Sequence, residues 1–164
     1  MGFMADLVEP LIRQGWVTAD AVQGCTEEEL AALMEAQGVV ALPGSYREFM
    51  GFTGRAPYWL ARSEWDYEWL LEAKQIARQI VVEDYKGDFA PFEDAFVFQT
   101  HYGYEFYYFR AEDLTDPDPH FWIHSATKPV QESETSFATW LQELADYLPH
   151  AIELRRWLHR SSRA

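Results

Sequence analysis

Side chains able to do chemistry are scattered along this 164-residue chain. Two of its five histidines, His120 and His124, stand four residues apart, a metal-ligand spacing on a helix. Pro119 and the β-favouring residues around them predict a strand instead. On a strand the pair shares a face but is separated by about 13 Å, too far for one ion. Ser45 lies in Pro43-Gly44-Ser45-Tyr46, which reads as a helix start and not as a nucleophile elbow. Glu93 and Asp94 form the kind of carboxylate pair that acid–base catalysis uses, but adjacent acids are ordinary in so acidic a chain. Asp113, Asp116 and Asp118 suggest calcium, yet the glycine and distal glutamate of an EF-hand loop are missing, so a plain acidic turn is the simpler reading. The glycines near residue 50 make neither a phosphate loop nor a dinucleotide fingerprint. We therefore expect no catalytic residue, no metal and no cofactor.

The elements that would hold these groups are legible from pattern. Asp6 to Gln14 reads as a first helix, capped by Asp6, with Pro10 in its tolerated first turn and Gly15 at its end. Thr26-Glu27-Glu28-Glu29 is a capping box opening a second helix that Gly38 stops. Pro43 at the first helical position opens a third, with Tyr46, Phe49 and Met50 on one face and Gly51 and Gly54 ending it. Tyr58 to Ser63 reads as a short strand, and Asp66 to Val82 as the longest helix. Ala95 to Phe109 is the densest aromatic stretch and reads as a hairpin turning at Gly103, its strands central in a sheet covered by helices. His120 to His124 and Lys128 to Glu132 predict third and fourth strands. Ser136 caps a final helix with Phe137, Trp140, Leu141, Leu144 and Leu148 on its buried stripe. Pro149 is expected to interrupt that helix, leaving a short further one around Ile152, Trp157 and Leu158.

Length predicts one domain over residues 1–164, and the two apolar faces of the aromatic hairpin require helices over at least one of them. Eleven Phe, nine Tyr and seven Trp supply an aromatic core. The net charge of −14 makes nucleic acid an unsuitable ligand, because phosphate binding needs a basic field. A basic protein partner suits that surface. The lone Cys25 excludes an intrachain disulfide and fits a reducing compartment. The first residues lack the pattern of a signal peptide and no stretch predicts a membrane span, so a cytoplasmic protein without membrane attachment is expected. Residues 150–164 differ in kind: four arginines stand against Glu153 alone. This basic aromatic tail suits an acidic surface, either of its own domain or of a second copy.

The order of these motifs resembles the SUKH superfamily, the Smi-and-Knr-like proteins. The matching order is the capping box at Thr26 to Glu29, then Leu42-Pro43 with Tyr46 and Phe49, the aromatic hairpin, Asp116-Pro117, a short strand, and Ser136-Phe137 opening a helix. The resemblance runs from about Thr26 to Leu148. Residues 1–25, a helical extension, and the basic tail 150–164 fall outside it. It implies an α+β fold with a central antiparallel sheet flanked by helices, and a non-enzymatic role. Bacterial members are mostly immunity proteins that bind and neutralise a cognate toxin domain, often a nuclease. The alternative is a scaffold or regulatory interaction domain of the same fold with no toxin partner. No active site transfers, so interface candidates come from physical chemistry: Tyr102 and Tyr104 at the hairpin turn, with Glu93, Asp94, Asp113, Asp116 and Asp118 in the adjacent loops.

Overall fold

The computed structural model describes residues 2–163. Five α-helices surround a four-stranded sheet: α1 (Phe3–Arg13), α2 (Glu27–Gln37), α3 (Gly44–Thr53), α4 (Tyr67–Arg78), β1 (Phe96–His101), β2 (Glu105–Phe109), β3 (His120–Ser125), β4 (Lys128–Ser136) and α5 (Phe137–Ser161). The α+β architecture with a helix-flanked antiparallel sheet is as the sequence predicts.

Local signals set most helix ends. Thr26 Oγ1 accepts from the Glu29 N–H at 3.2 Å while the Glu29 carboxylate accepts from the Thr26 N–H at 2.9 Å. Gly38 ends α2 in the left-handed conformation. Asp66 caps α4 and Ser136 caps α5.

Five expectations need correction, and at α1 and α5 a tertiary contact overrides local chemistry. The first helix begins at Phe3, not Asp6, and Pro10 lies inside it. Its N-terminus is satisfied from far away in sequence, by Glu48 of α3, whose carboxylate accepts from the Met4 N–H at 3.0 Å. Residues 58–63 form no strand: Pro57–Trp59 is a 3₁₀ turn, and only Glu64 bridges to Thr100 of β1. Pro149 does not break α5, which runs unbroken for 25 residues. Leu148 and Ile152, on either side of the proline, both pack on the core and hold the two halves against it. At α3, Pro43 is the N-cap residue and Gly51 lies within the helix, so Gly54 alone ends it. The long helix predicted to Val82 is α-helical to Arg78 and finishes as a π turn over Gln79–Asp84.

The strands pair in chain order, β1-β2-β3-β4, all antiparallel. Only β2 of the aromatic hairpin is therefore interior; β1 is an edge strand. The expectation that both hairpin strands are central fails because each strand pairs with the next one in the chain, so spatial order follows chain order and the first strand falls at the edge.

Both faces of the hairpin are nonetheless buried. On one face Tyr46 of α3 packs its ring against Phe96, Phe98, Phe109 and Phe137 at centroid distances of 5.2 to 5.8 Å. Trp140 of α5 closes over Phe121 and Tyr107. On the other face Phe92 meets Phe106, Tyr108 and His124 edge-on. The β1–β2 register shifts between Val97 and Gln99, a bulge at Phe98.

The free edge of β1 is occupied by side chains. Gln37, the last residue of α2 and only 1% exposed, accepts from the Val97 N–H at 2.8 Å and donates to the Val97 carbonyl at 2.7 Å. Its amide also donates to the Leu70 carbonyl of α4. Farther along, the Thr100 N–H donates to the Glu64 carbonyl, and Thr100 Oγ1 bonds to the Glu64 carboxylate and to the Trp69 indole N–H.

Candidate functional site

The residues singled out for partner binding fall at two ends of the sheet. At the hairpin tip, Tyr102 and Gly103 both have positive φ, 48° and 74°. Type I′ turns demand this of both central residues, which is why Asn-Gly dominates there. The Tyr104 N–H closes the turn on the His101 carbonyl at 3.3 Å. Tyr102 is 78% exposed and Tyr104 is also exposed. Both rings lie near the His101 imidazole, at 4.2 and 6.0 Å, so the tip presents a small aromatic cluster. The β3–β4 turn lies beside it, with the Ala126 N–H donating to the Tyr104 carbonyl.

Glu93, Asp94, Asp113, Asp116 and Asp118 lie at the other end, about 17 Å away along β1. There a groove of about 510 Å³ opens between the 3₁₀ turn Ala90–Phe92 and the outer half of the sheet. Asp94, Tyr108, Arg110, Glu112 and Val130 line it. The Arg110 guanidinium lies 3.3 Å from the centre of the Trp122 ring, a cation–π stack that fixes the one arginine in the groove wall. Burial and the neighbouring Glu112 push the Asp113 carboxyl pKa up, while Arg110 pulls it down.

Three of the five acids at this end already have partners. Glu93 pairs with Arg78. Asp116 accepts from the Asp118 N–H at 2.9 Å, and Asp118 accepts from the Ala138 N–H in the first turn of α5 at 2.9 Å. The loop around Pro117 also receives the first turn of α3, the Ser45 N–H donating to the Pro117 carbonyl at 2.7 Å. Asp116 and Asp118 thus tie two helix N-termini together, leaving Asp94 and Asp113 as the predicted acids beside the groove.

Arg110, Trp122 and His101 are contributors that sequence reasoning did not single out. Arg110 meets Trp122 only because Tyr108 pairs with Trp122 across β2 and β3, a register no single-strand pattern reveals. The His-Tyr-Gly-Tyr run was the available signal for His101.

Among the described residues no group of three or more His, Cys, Asp or Glu side chains is arranged to hold a metal ion. Burial pushes the Cys25 thiol up to about 11, which makes it a poor nucleophile at neutral pH. Burial, then Glu105, push the Tyr107 phenol up to about 12. No helix among the described residues is long and apolar enough to cross a membrane.

His124 stacks on Phe106 at 4.6 Å, and its buried Nδ1 has no partner among the described residues. Burial lowers its pKa below the usual 6.5. The unfolded chain therefore binds this proton more readily than the folded one. The stability that neutral His124 provides is complete above pH 6.5 and is lost as pH falls from there toward the folded pKa. His124→Phe should flatten the decline in melting temperature below pH 6.5 relative to wild type. Parallel declines in both proteins would show that His124 has no part in it.

No curated protein and no solved structure matches the chain. The helix-flanked meander and its aromatic hairpin carry instead a match to a family model, that of the SMI1 / KNR4 family (SUKH-1), which covers residues 24–143 and so includes α2 through the first turns of α5. The chain belongs to the SMI1 / KNR4 family (SUKH-1).

Proposed function

We propose that this chain is an immunity protein that binds and neutralises a cognate, basic toxin domain in the cytoplasm of the cell that makes both. Family membership supplies the class, since the family includes immunity proteins. The observation that carries the reading is Tyr102. A bulky residue with φ of 48° is unfavourable by about 1–2 kcal/mol in the left-handed region, and this ring is mostly solvent-exposed, so it gains little core burial in return. Strain held at an exposed aromatic residue supports a binding role for it. Tyr104 and His101 widen that anchor, and the excess of acids, with Asp94 and Glu112 in the groove wall, steers a basic partner. No step of covalent chemistry is required: occlusion of the toxin's own site neutralises it.

The test is co-expression with the product of the adjacent reading frame. A toxic neighbour rescued by this chain is the expected result. A harmless neighbour, or a toxic one that is not rescued, removes the immunity reading; a harmless neighbour that still binds supports the scaffold alternative. In the complex, Tyr102→Asn should weaken binding about 10- to 100-fold while stabilising the free protein by about 1 kcal/mol, because Asn-Gly suits this turn. Calorimetry of the complex and thermal melts of the free variant read the two effects separately. Affinity should also fall as salt is raised.

A further inference from the structure

Helix α5 carries two apolar stripes. One, Phe137, Leu141, Ala145 and Leu148, is buried against the sheet and the other helices. The second, Leu144, Tyr147, Ala151, Leu154 and Leu158, recurs at alternating intervals of three and four residues. That is the seam spacing of helices that pack side by side. Tyr147, Leu154 and Leu158 on this seam are exposed, as is Trp157 beside it. The tail does not fold back onto its own domain, because α5 continues through Pro149 to Ser161 and, Arg155 apart, leaves residues 153–163 exposed. Of the two surfaces that could cover a basic aromatic tail, the domain's own is thereby removed.

We infer that the second stripe of α5 pairs antiparallel with the same stripe of a second copy, across a two-fold axis at Ala151. Three observations choose this occupant. Charge is the first: residues 150–164 hold four arginines and one glutamate, whereas the rest of the chain holds nine basic and 26 acidic residues. The basic partner proposed above is repelled by this helix, and an acidic protein is attracted. Antiparallel pairing sets the arginine-rich end of each α5 alongside Glu143 and Asp146 of the other copy's α5.

Shape is the second observation. A predominantly apolar groove of about 300 Å³ runs beside the seam between Tyr58–Arg62 and α5, lined by Trp59, Leu60, Leu144, Tyr147 and Ala151. With the axis at Ala151, Leu144 of one copy faces Leu158 of the other, so the exposed end of each helix lies over the other copy's groove. The seam spans only about 21 Å, and the groove supplies the additional apolar area that a stable pair needs.

Symmetry is the third. A two-fold contact is self-complementary and closes, so it leaves no unpaired copy of the stripe. The small Ala151 at the axis lets the two backbones approach. The Tyr102 tip belongs to the β1–β2 turn and not to α5, so each copy keeps it available.

Sedimentation of the full chain over a concentration series tests the pairing. The expected species has twice the 19.1 kDa mass of the chain, and it becomes monomeric in the double variant Leu154→Glu, Leu158→Glu with the thermal melt of the domain unchanged. A wild-type protein that stays at 19.1 kDa throughout overturns the inference. So does a monomer whose tail binds vesicles containing phosphatidylserine, which would make a membrane surface the occupant. Should the double variant fail to fold, Ala151→Cys decides: mild oxidation should give a covalent dimer through residue 151. Gln142→Cys should not, because its two copies lie about 27 Å apart along the paired helices. Equal crosslinking of both variants, or none of either, would refute the antiparallel register.

Discussion

Gln37→Ala is expected to destabilise the protein by about 3–6 kcal/mol. The Gln37 amide bonds the Val97 N–H and carbonyl and the Leu70 carbonyl inside the core. Each buried backbone group left without a partner costs about 1–3 kcal/mol, and the truncated side chain leaves a cavity as well. The Lys74 ammonium adds to the junction by donating to the Gln37 carbonyl at 2.6 Å; burial lowers its pKa. Gln37→Met separates the two contributions, because it fills nearly the same volume without either polar atom. Urea denaturation should show the methionine variant losing most of what the alanine variant loses. A methionine variant within about 1 kcal/mol of wild type would show that volume, not hydrogen bonding, holds this junction.

Tyr46 carries the second large expectation. Its ring is fully buried where α3, α5 and the hairpin meet, against five other aromatic rings. Tyr46→Ala should cost about 3–5 kcal/mol, the usual range for deleting a buried aromatic ring. Tyr46→Phe should do the opposite. The Tyr46 hydroxyl has no hydrogen-bond partner among the described residues, so its removal relieves a desolvation cost and should raise stability by about 1 kcal/mol. For a chain of this length that is an increase of about 2–4 °C in melting temperature. A phenylalanine variant that melts lower would reveal a partner for the hydroxyl, an ordered internal water being the obvious one.

What the sequence discloses and what it hides divides along the range of the interactions. Thr26 with Glu29, Gly38, Asp66 and Ser136 act within three residues of themselves, so the ends they set are readable by inspection. The start of α1 is not, because its cap is Glu48 in another helix. Pro149 reads as a break because its missing N–H is a local fact. The packing of Leu148 and Ile152 that keeps α5 continuous is a tertiary one. The aromatic hairpin is legible as a hairpin, but its place at the side of the sheet depends on pairings among β2, β3 and β4. The candidate site divides in the same way: Gly103 announces the turn that displays Tyr102 and Tyr104. Asp116 and Asp118 look from the sequence like free acids beside that turn, when their carboxylates serve a loop turn and the first turn of α5.

The way β1 ends the sheet bears on how the protein survives at high concentration. An unpaired outer strand is a template on which another chain can add and, if the addition repeats, grow a fibre. Gln37 takes both the N–H and the carbonyl of Val97, and the Glu64 carbonyl takes the Thr100 N–H, so a foreign strand finds few hydrogen bonds to make there. β4 at the other side is guarded by composition, with Lys128, Pro129, Glu132 and Glu134 along it and irregular pairing to β3. The sheet is thus terminated by a plug on one side and by repulsion on the other. Only the second defence weakens when salt or acid screens or neutralises charge, so misassembly under those conditions should begin at β4, whereas a Gln37 variant should open the β1 side at any ionic strength.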